Sequence, residues 1–212
     1  MAATVLYKSA LLYELLMVIL YGRHYSGRYK VIADMIPAQS SVLDLCCGPA
    51  VLYHRYLHQK SVAYTGLDLS ETFIKHLSAR GGQGQVWDLR ESAALPGADY
   101  VVMQASLYQF LPDPQPIVDR MLRAARRKVI LAEPVRNITS SKLAPLAFIG
   151  RRFTDPGDGQ SDHRFTEETL DLFFNRYSSQ LSKAFSIPGG REKVFVLNSR
   201  PLPDGHQLRE DG

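Results

Sequence analysis

What this chain lacks narrows it first. Cysteine is nearly absent: its two residues, Cys46 and Cys47, are backbone neighbours. Adjacent cysteines cannot easily meet disulfide geometry, so a disulfide-stapled scaffold is excluded and free thiols in a reducing, cytoplasmic compartment are expected. No apolar run spans a bilayer. The longest, residues 11–20, is interrupted by Glu14, and it reaches only half of the ~20 residues a membrane helix needs. It has no small-residue cleavage site behind it, so neither a transmembrane segment nor a signal peptide is expected. Charge of one sign is also scarce. The formal net charge is +4, and the basic residues are scattered apart from Arg123, Arg126, Arg127 and Lys128, which read as a solvated helix end. There is no internal repeat and no aromatic-studded basic stripe, so nucleic acid is not an expected partner.

What is present suits one domain over residues 1–200. The chain has 212 residues, 45% of them hydrophobic, enough for one sizeable core without metals or disulfides. Residues 6–36 carry apolar side chains at helical spacing, broken by Gly22 and Gly27, and predict a helical cap over 1–40. Short apolar or β-branched runs then follow at 42–45, 63–67, 85–87, 100–103 and 129–132. They are too short for helices and lack period-two alternation, as in strands buried on both faces. Helices are predicted between them at 51–59, at 70–79 behind a Ser70 N-cap, and at 116–125. Thr166 caps another over 166–177. Runs at 183–187 and 193–197, joined across Pro188, Gly189 and Gly190, predict an antiparallel hairpin. The expected fold is therefore α/β, a doubly wound, seven-stranded, mostly parallel sheet ending in that hairpin. In such sheets ligands sit beyond the carboxyl ends of the strands. Residues 134–165 form a long loop of the kind that makes lids or substrate segments, and 201–212 reads as a disordered tail.

The first strand ends in Asp44-Leu45-Cys46-Cys47-Gly48-Pro49-Ala50 and runs directly into a helix. Small residues at alternate positions let a ligand approach the backbone of the turn. A dinucleotide fingerprint would need glycine where Cys46, Gly48 and Val51 stand, and valine at the third position opposes close helix packing. The second strand ends in Asp68, twenty residues beyond Gly48, where an ionised carboxylate can accept ribose hydroxyls.

Together these segments resemble the class I (Rossmann-like) S-adenosylmethionine-dependent methyltransferases. The Asp-Leu-Cys-Cys-Gly turn is similar to a motif I variant of that superfamily, with Cys46 and Ala50 standing where glycine is frequent. The resemblance implies S-adenosylmethionine as cofactor, with Asp44, Cys46, Gly48 and Ala50 at its amino-acid and ribose end, Asp68 at the ribose and Leu69 beside it on the cofactor. It puts Asp88 on the adenine amine beside Trp87 and Leu89, Trp87 reading equally as core, and Gln104 and Ala105 beside the methionine. Tyr108 and Gln109 face either cofactor or substrate. Many relatives carry Pro-Gly-Gly before the fifth strand, where this chain has Ala125-Arg126-Arg127, so a differently built turn is expected.

Methyl transfer from a sulfonium is an in-line displacement that rests mainly on positioning. Gln104-Ala105-Ser106-Leu107 does not resemble the Asn/Asp-Pro-Pro-aromatic segment of nucleobase amino-methylating enzymes. The expected acceptor is a small molecule or lipid, methylated on oxygen or carbon. Two clusters lie in the variable segments: Tyr21, Arg23, His24, Tyr25 and Tyr29, and then Glu133, Arg136, Asn137, His163 and Arg164. His163 is the candidate base and Arg136 or Arg164 the candidate anion anchor; no metal is called for. The N-terminal apolar face reads either as a cap on the pocket or as a surface for lipid. The rival functional reading is a methyltransferase-like module that binds a partner protein without turnover.

Overall fold

The computed structural model describes Val18 and residues 22–135, 164–188 and 192–199. Seven strands form one sheet: β1 Ser41–Leu45, β2 Ala63–Asp68, β3 Gln83–Val86, β4 Ala98–Gln104, β5 Ala125–Pro134, β6 Leu181–Ser186 and β7 Glu192–Asn198, in the order β3-β2-β1-β4-β5-β7-β6. Strands β1 to β5 are parallel, and β7 runs antiparallel between β5 and β6. The expected doubly wound sheet with a closing antiparallel hairpin is what forms.

A core lies on each face of the sheet. Odd and even residues of a strand point to opposite faces, so β1 sends Val42 to one core and Leu43 and Leu45 to the other. The first core is covered by α1, Tyr25–Asp34, which buries Tyr25, Tyr29, Ile32 and Ala33. Lys60 Nζ donates to the carbonyls of Ala33 and Ile36, placing a cation on the free acceptors at the end of that helix. On the opposite face lie α3, Gln115–Ala124, and α4, Glu167–Asn175. Phe174 of α4 stacks on Phe195 of β7 with ring centroids 4.0 Å apart. Thr166 and Thr169 form a reciprocal capping box, with Glu167 and Glu168 in the first turn. Helix α2, Glu71–Ser78, starts where predicted, Ser70 accepting from the backbone of Phe73. Among the described residues no helix is long and apolar enough to cross a membrane.

Three elements depart from the sequence reading. The segment expected as a helix over 51–59 takes a π-helical course at Tyr53–Leu57 and a 3-10 turn at His58–Lys60. Strand β3 starts two residues earlier and ends one residue earlier than expected, leaving Trp87 beyond its end. Strand β5 begins at Ala125, directly from α3, so no turn occupies the place of the expected one. Arg126 therefore lies on a strand rather than a helix end. Its guanidinium donates to Asp99 (3.1 Å) and Ser41 (2.8 Å), tying the amino ends of β1, β4 and β5 together.

Gly66 of β2 shows how closely the turn after β1 is packed. A Cβ there would lie 2.7 Å from Cys47 Sγ and 2.8 Å from Leu77 Cδ2, and Leu77 is fully buried. Gly66→Ala is expected to destabilise the fold by about 1–3 kcal/mol, the usual cost of overpacking. Urea denaturation reads it, and unchanged stability would show that Cys47 and Leu77 can yield.

Candidate functional site

The carboxyl edge of the sheet gathers most of the residues singled out in the sequence. The turn after β1 carries Cys46, Gly48 and Ala50, all three in the left-handed region with φ of 53°. Glycine adopts that conformation freely, whereas an L-residue is strained by roughly 1–2 kcal/mol. The turn keeps a glycine-rich shape although two of its three steps carry a Cβ. At Gly48 an added Cβ would meet no atom within 4 Å, so this glycine borders open space rather than a packed neighbour.

Asp68, at the end of β2, holds the turn from across the sheet. One carboxylate oxygen accepts from Gly48 N (2.8 Å) and the other from Ser70 N (2.8 Å). Burial pushes its carboxyl above the ordinary range, and the two N–H donors oppose the shift. Leu69 follows it, 60% exposed, one of the few large apolar side chains exposed among the described residues. Asp44, within β1 just before the turn, is buried and accepts from Tyr64 Oη at 2.7 Å. Desolvation raises its carboxyl to about 7 despite that hydrogen bond. Burial likewise pushes both the Cys46 and Cys47 thiols up, so these free cysteines stay protonated.

Beyond β3, Trp87 packs against the second core and its Nε1 is buried with no hydrogen-bond partner among the described residues. Asp88 is engaged by Arg90: Oδ1 accepts from the backbone and Nε, and Oδ2 from Nη2 at 3.1 Å. Those bonds hold its carboxyl below the ordinary value. Leu89 is buried in the second core, and its carbonyl accepts from Arg120, which also reaches the Ala93 carbonyl. Arg120 thus fastens the segment after β3 to α3.

At the end of β4, Gln104 Nε2 is a second buried donor without a partner among the described residues. Ala105 is left-handed (φ 52°), and the chain enters a 3-10 turn, Leu107–Phe110. Glu133, 2% exposed at the end of β5, receives the first N–H groups of that turn, from Leu107 (2.9 Å) and Tyr108 (3.4 Å). Burial raises its carboxyl to about 8 against those donors and Arg164. The Arg164 guanidinium lies 3.6 Å over the Tyr108 ring. Tyr25 opens α1, buried and edge-on to Tyr29 at 5.4 Å. Next to it Arg28 and Glu192 form a buried ion pair at 2.8 Å that joins α1 to β7.

The structure thus brings Asp44, Cys46, Gly48, Ala50, Asp68, Leu69, Trp87, Asp88, Gln104, Ala105 and Tyr108 to one edge, with Arg164 beside them. Tyr21, Arg136, Asn137 and His163 lie outside the described residues. Sequence reasoning did not find Tyr64 as the partner of Asp44, Arg120 as an anchor, or the Arg28–Glu192 pair, because each depends on a contact distant in sequence.

The strand order, the antiparallel seventh strand and the small-residue turn define the class I methyltransferase fold. Solved structures agree. The TehB-like S-adenosylmethionine-dependent methyltransferase of Corynebacterium glutamicum superposes with a TM-score of 0.58 at 16% identity, covering 82% of this chain and 88% of that one. The magnesium protoporphyrin IX methyltransferase of Synechocystis, solved with bound S-adenosylhomocysteine, gives 0.58 at 16% identity over 84% and 90%. The cyclase SpnF gives 0.62 at 11% identity over 84% and 82%. Residues 27–138, more than half of the chain, match the family described as methionine biosynthesis protein MetW, and the chain belongs to that family. No curated protein matches it.

Proposed function

We propose that the carboxyl edge of the sheet binds S-adenosylmethionine and that the protein transfers its methyl group to a small molecule or lipid in the cytoplasm, on oxygen or carbon. The observation that carries this reading is the turn after β1, left-handed at Cys46, Gly48 and Ala50 and bordered at Gly48 by open space. Backbone strain of that kind concentrates where a ligand needs the backbone itself. Trp87 Nε1, just beyond β3, and Gln104 Nε2, at the end of β4, add two buried donors without a partner among the described residues. Bound S-adenosylmethionine supplies an electrophilic methyl group.

The chain's own residues then divide the work of positioning. The 46–50 turn lies against the amino-acid and ribose portions. A carboxylate offers about four acceptor positions, and Asp68 uses two on the backbone, leaving the others for ribose hydroxyls. Leu69 and Trp87 offer apolar faces to the adenine, while Gln104 and Ala105 border the methionine end. His163 is the proposed base, and Tyr21, Tyr25, Arg136 and Asn137 belong to the acceptor side.

One observation favours the non-catalytic reading. Both oxygens of Asp88, the expected acceptor for the adenine amine, are engaged by Arg90. Calorimetric titration with S-adenosylmethionine and S-adenosylhomocysteine decides between the two. The wild type is expected to bind in the micromolar range. Gly48→Val, which would both strain this left-handed turn and enter the open space, should lose about tenfold or more in affinity, roughly 1.4 kcal/mol per decade. Absence of binding to the wild type and to Arg90→Ala alike would overturn the cofactor reading and leave the partner-binding module.

A further inference from the structure

The acceptor side of the site contains a cation, Arg164, that pairs with no carboxylate among the described residues, although it is partly buried against the Tyr108 ring. The nearby carboxyl, Glu133, accepts from Leu107 N and Tyr108 N and feels the charge of Arg164 without forming an ion pair with it. The other charges at this corner are matched among themselves: Arg28 with Glu192, and Lys193 with Glu167 and Asp171. Arg164 also donates to the Tyr108 hydroxyl, and the remaining N–H groups of a guanidinium held over an aromatic ring can pair with the two oxygens of a carboxylate or phosphate. Phe110 and Val135 are partly buried at the same core and would face an apolar body.

We propose that Arg164, seated on Tyr108 above the buried Glu133, is the anion anchor of the acceptor site, and that the acceptor is a small oxyanion with an apolar body. This rests on the methyl-transfer reading for the word acceptor, but the anchor itself is a binding claim. Glu133 then sets the charge of the subsite. Near neutrality its raised carboxyl retains a proton and does not oppose an anion; above about 8 it ionises. The groups facing it are Arg164 and Tyr108, Glu192 with its partner Arg28, and Lys193 opposite it on β7. Anion affinity should therefore fall as pH rises through about 8.

The test is titration of the full chain with benzoate and with phenyl phosphate, using benzamide as the neutral control, with and without saturating S-adenosylhomocysteine. At least one anion should bind about tenfold more tightly than benzamide, and which of the two does so identifies the headgroup. Arg164→Gln should remove that selectivity, and Arg164→Lys, which keeps the charge without the fork, should retain part of it. S-adenosylhomocysteine affinity should change less than about twofold in Arg164→Gln. Equal binding of anions and benzamide, or unchanged anion affinity in Arg164→Gln, overturns the anchor. Failure of S-adenosylhomocysteine to bind while the anion selectivity holds overturns the cofactor reading and leaves the anchor in place.

Discussion

Arg28→Ala is expected to cost about 3–5 kcal/mol of unfolding free energy, the range seen when one member of a buried ion pair is removed. Arg28 and Glu192 are 3% and 2% exposed, joined by contacts of 2.8 and 3.2 Å. Deleting the guanidinium leaves a carboxylate without its countercharge inside the first core, and that desolvation dominates the cost. For a chain of this size, a melting temperature lower by roughly 6–20 °C corresponds to that range. The double substitution Arg28→Met with Glu192→Leu should recover most of the loss, since a buried pair is often replaceable by apolar side chains at little cost. Thermal and urea denaturation of the two single variants and the double variant measure this cycle. A single variant within about 1 kcal/mol of wild type would mean that water reaches Glu192 when its partner leaves.

Stability should also fall, not rise, between about pH 5 and pH 8. Asp44 and Glu133 have folded-state values raised to about 7 and about 8 by burial, whereas unfolded carboxyls titrate near ~4. Over that window the folded state holds protons that the unfolded state has released, so raising the pH favours unfolding. The contribution is complete below the unfolded values and is lost as pH climbs through the folded ones. Each tenfold difference in proton affinity between the two states corresponds to about 1.4 kcal/mol, so the decline is on the order of a few kcal/mol. Asp99, which Ser41 and Arg126 hold at about 2, acts with the opposite sign, but only in acid. Asp44→Asn combined with Glu133→Gln should flatten the profile and raise stability at pH 8. Urea midpoints recorded across the series would contradict this if the wild type were as stable at pH 8 as at pH 5.

Much of this architecture is legible in the sequence because the central strands are buried on both faces. β4 reads as an unbroken apolar run over 100–103, and β1 as an apolar run broken by Asp44, for that reason. The helix caps at Ser70 and Thr166 are local hydrogen bonds and so can be read locally. Strand β5 hides its beginning because Arg126 and Arg127 are exposed at the edge of the sheet, where no apolar residue marks a strand. The course at Tyr53–Leu57 is hidden differently: over so few residues an i+4 and an i+5 repeat place nearly the same side chains inward. The turn after β1 and Asp68 are legible as a site because their spacing is short and their residue types unusual. Arg28 and Glu192 lie 164 positions apart, and Arg28 on its own looks like any surface cation. The closing of the sheet by β7 brings Glu192 to it.

Cys46 and Ala50 in left-handed conformation also bear on the unfolded chain. A glycine at either position would wander more widely before folding, whereas a residue with a Cβ begins with fewer conformations to give up. The turn therefore combines tension in the folded protein with a reduced ordering loss. Asp68 grips its midpoint through Gly48 N. A recess shaped in advance in this way spends less of a ligand's interaction energy on rearranging the protein, and its selectivity then follows from fit rather than from adaptation.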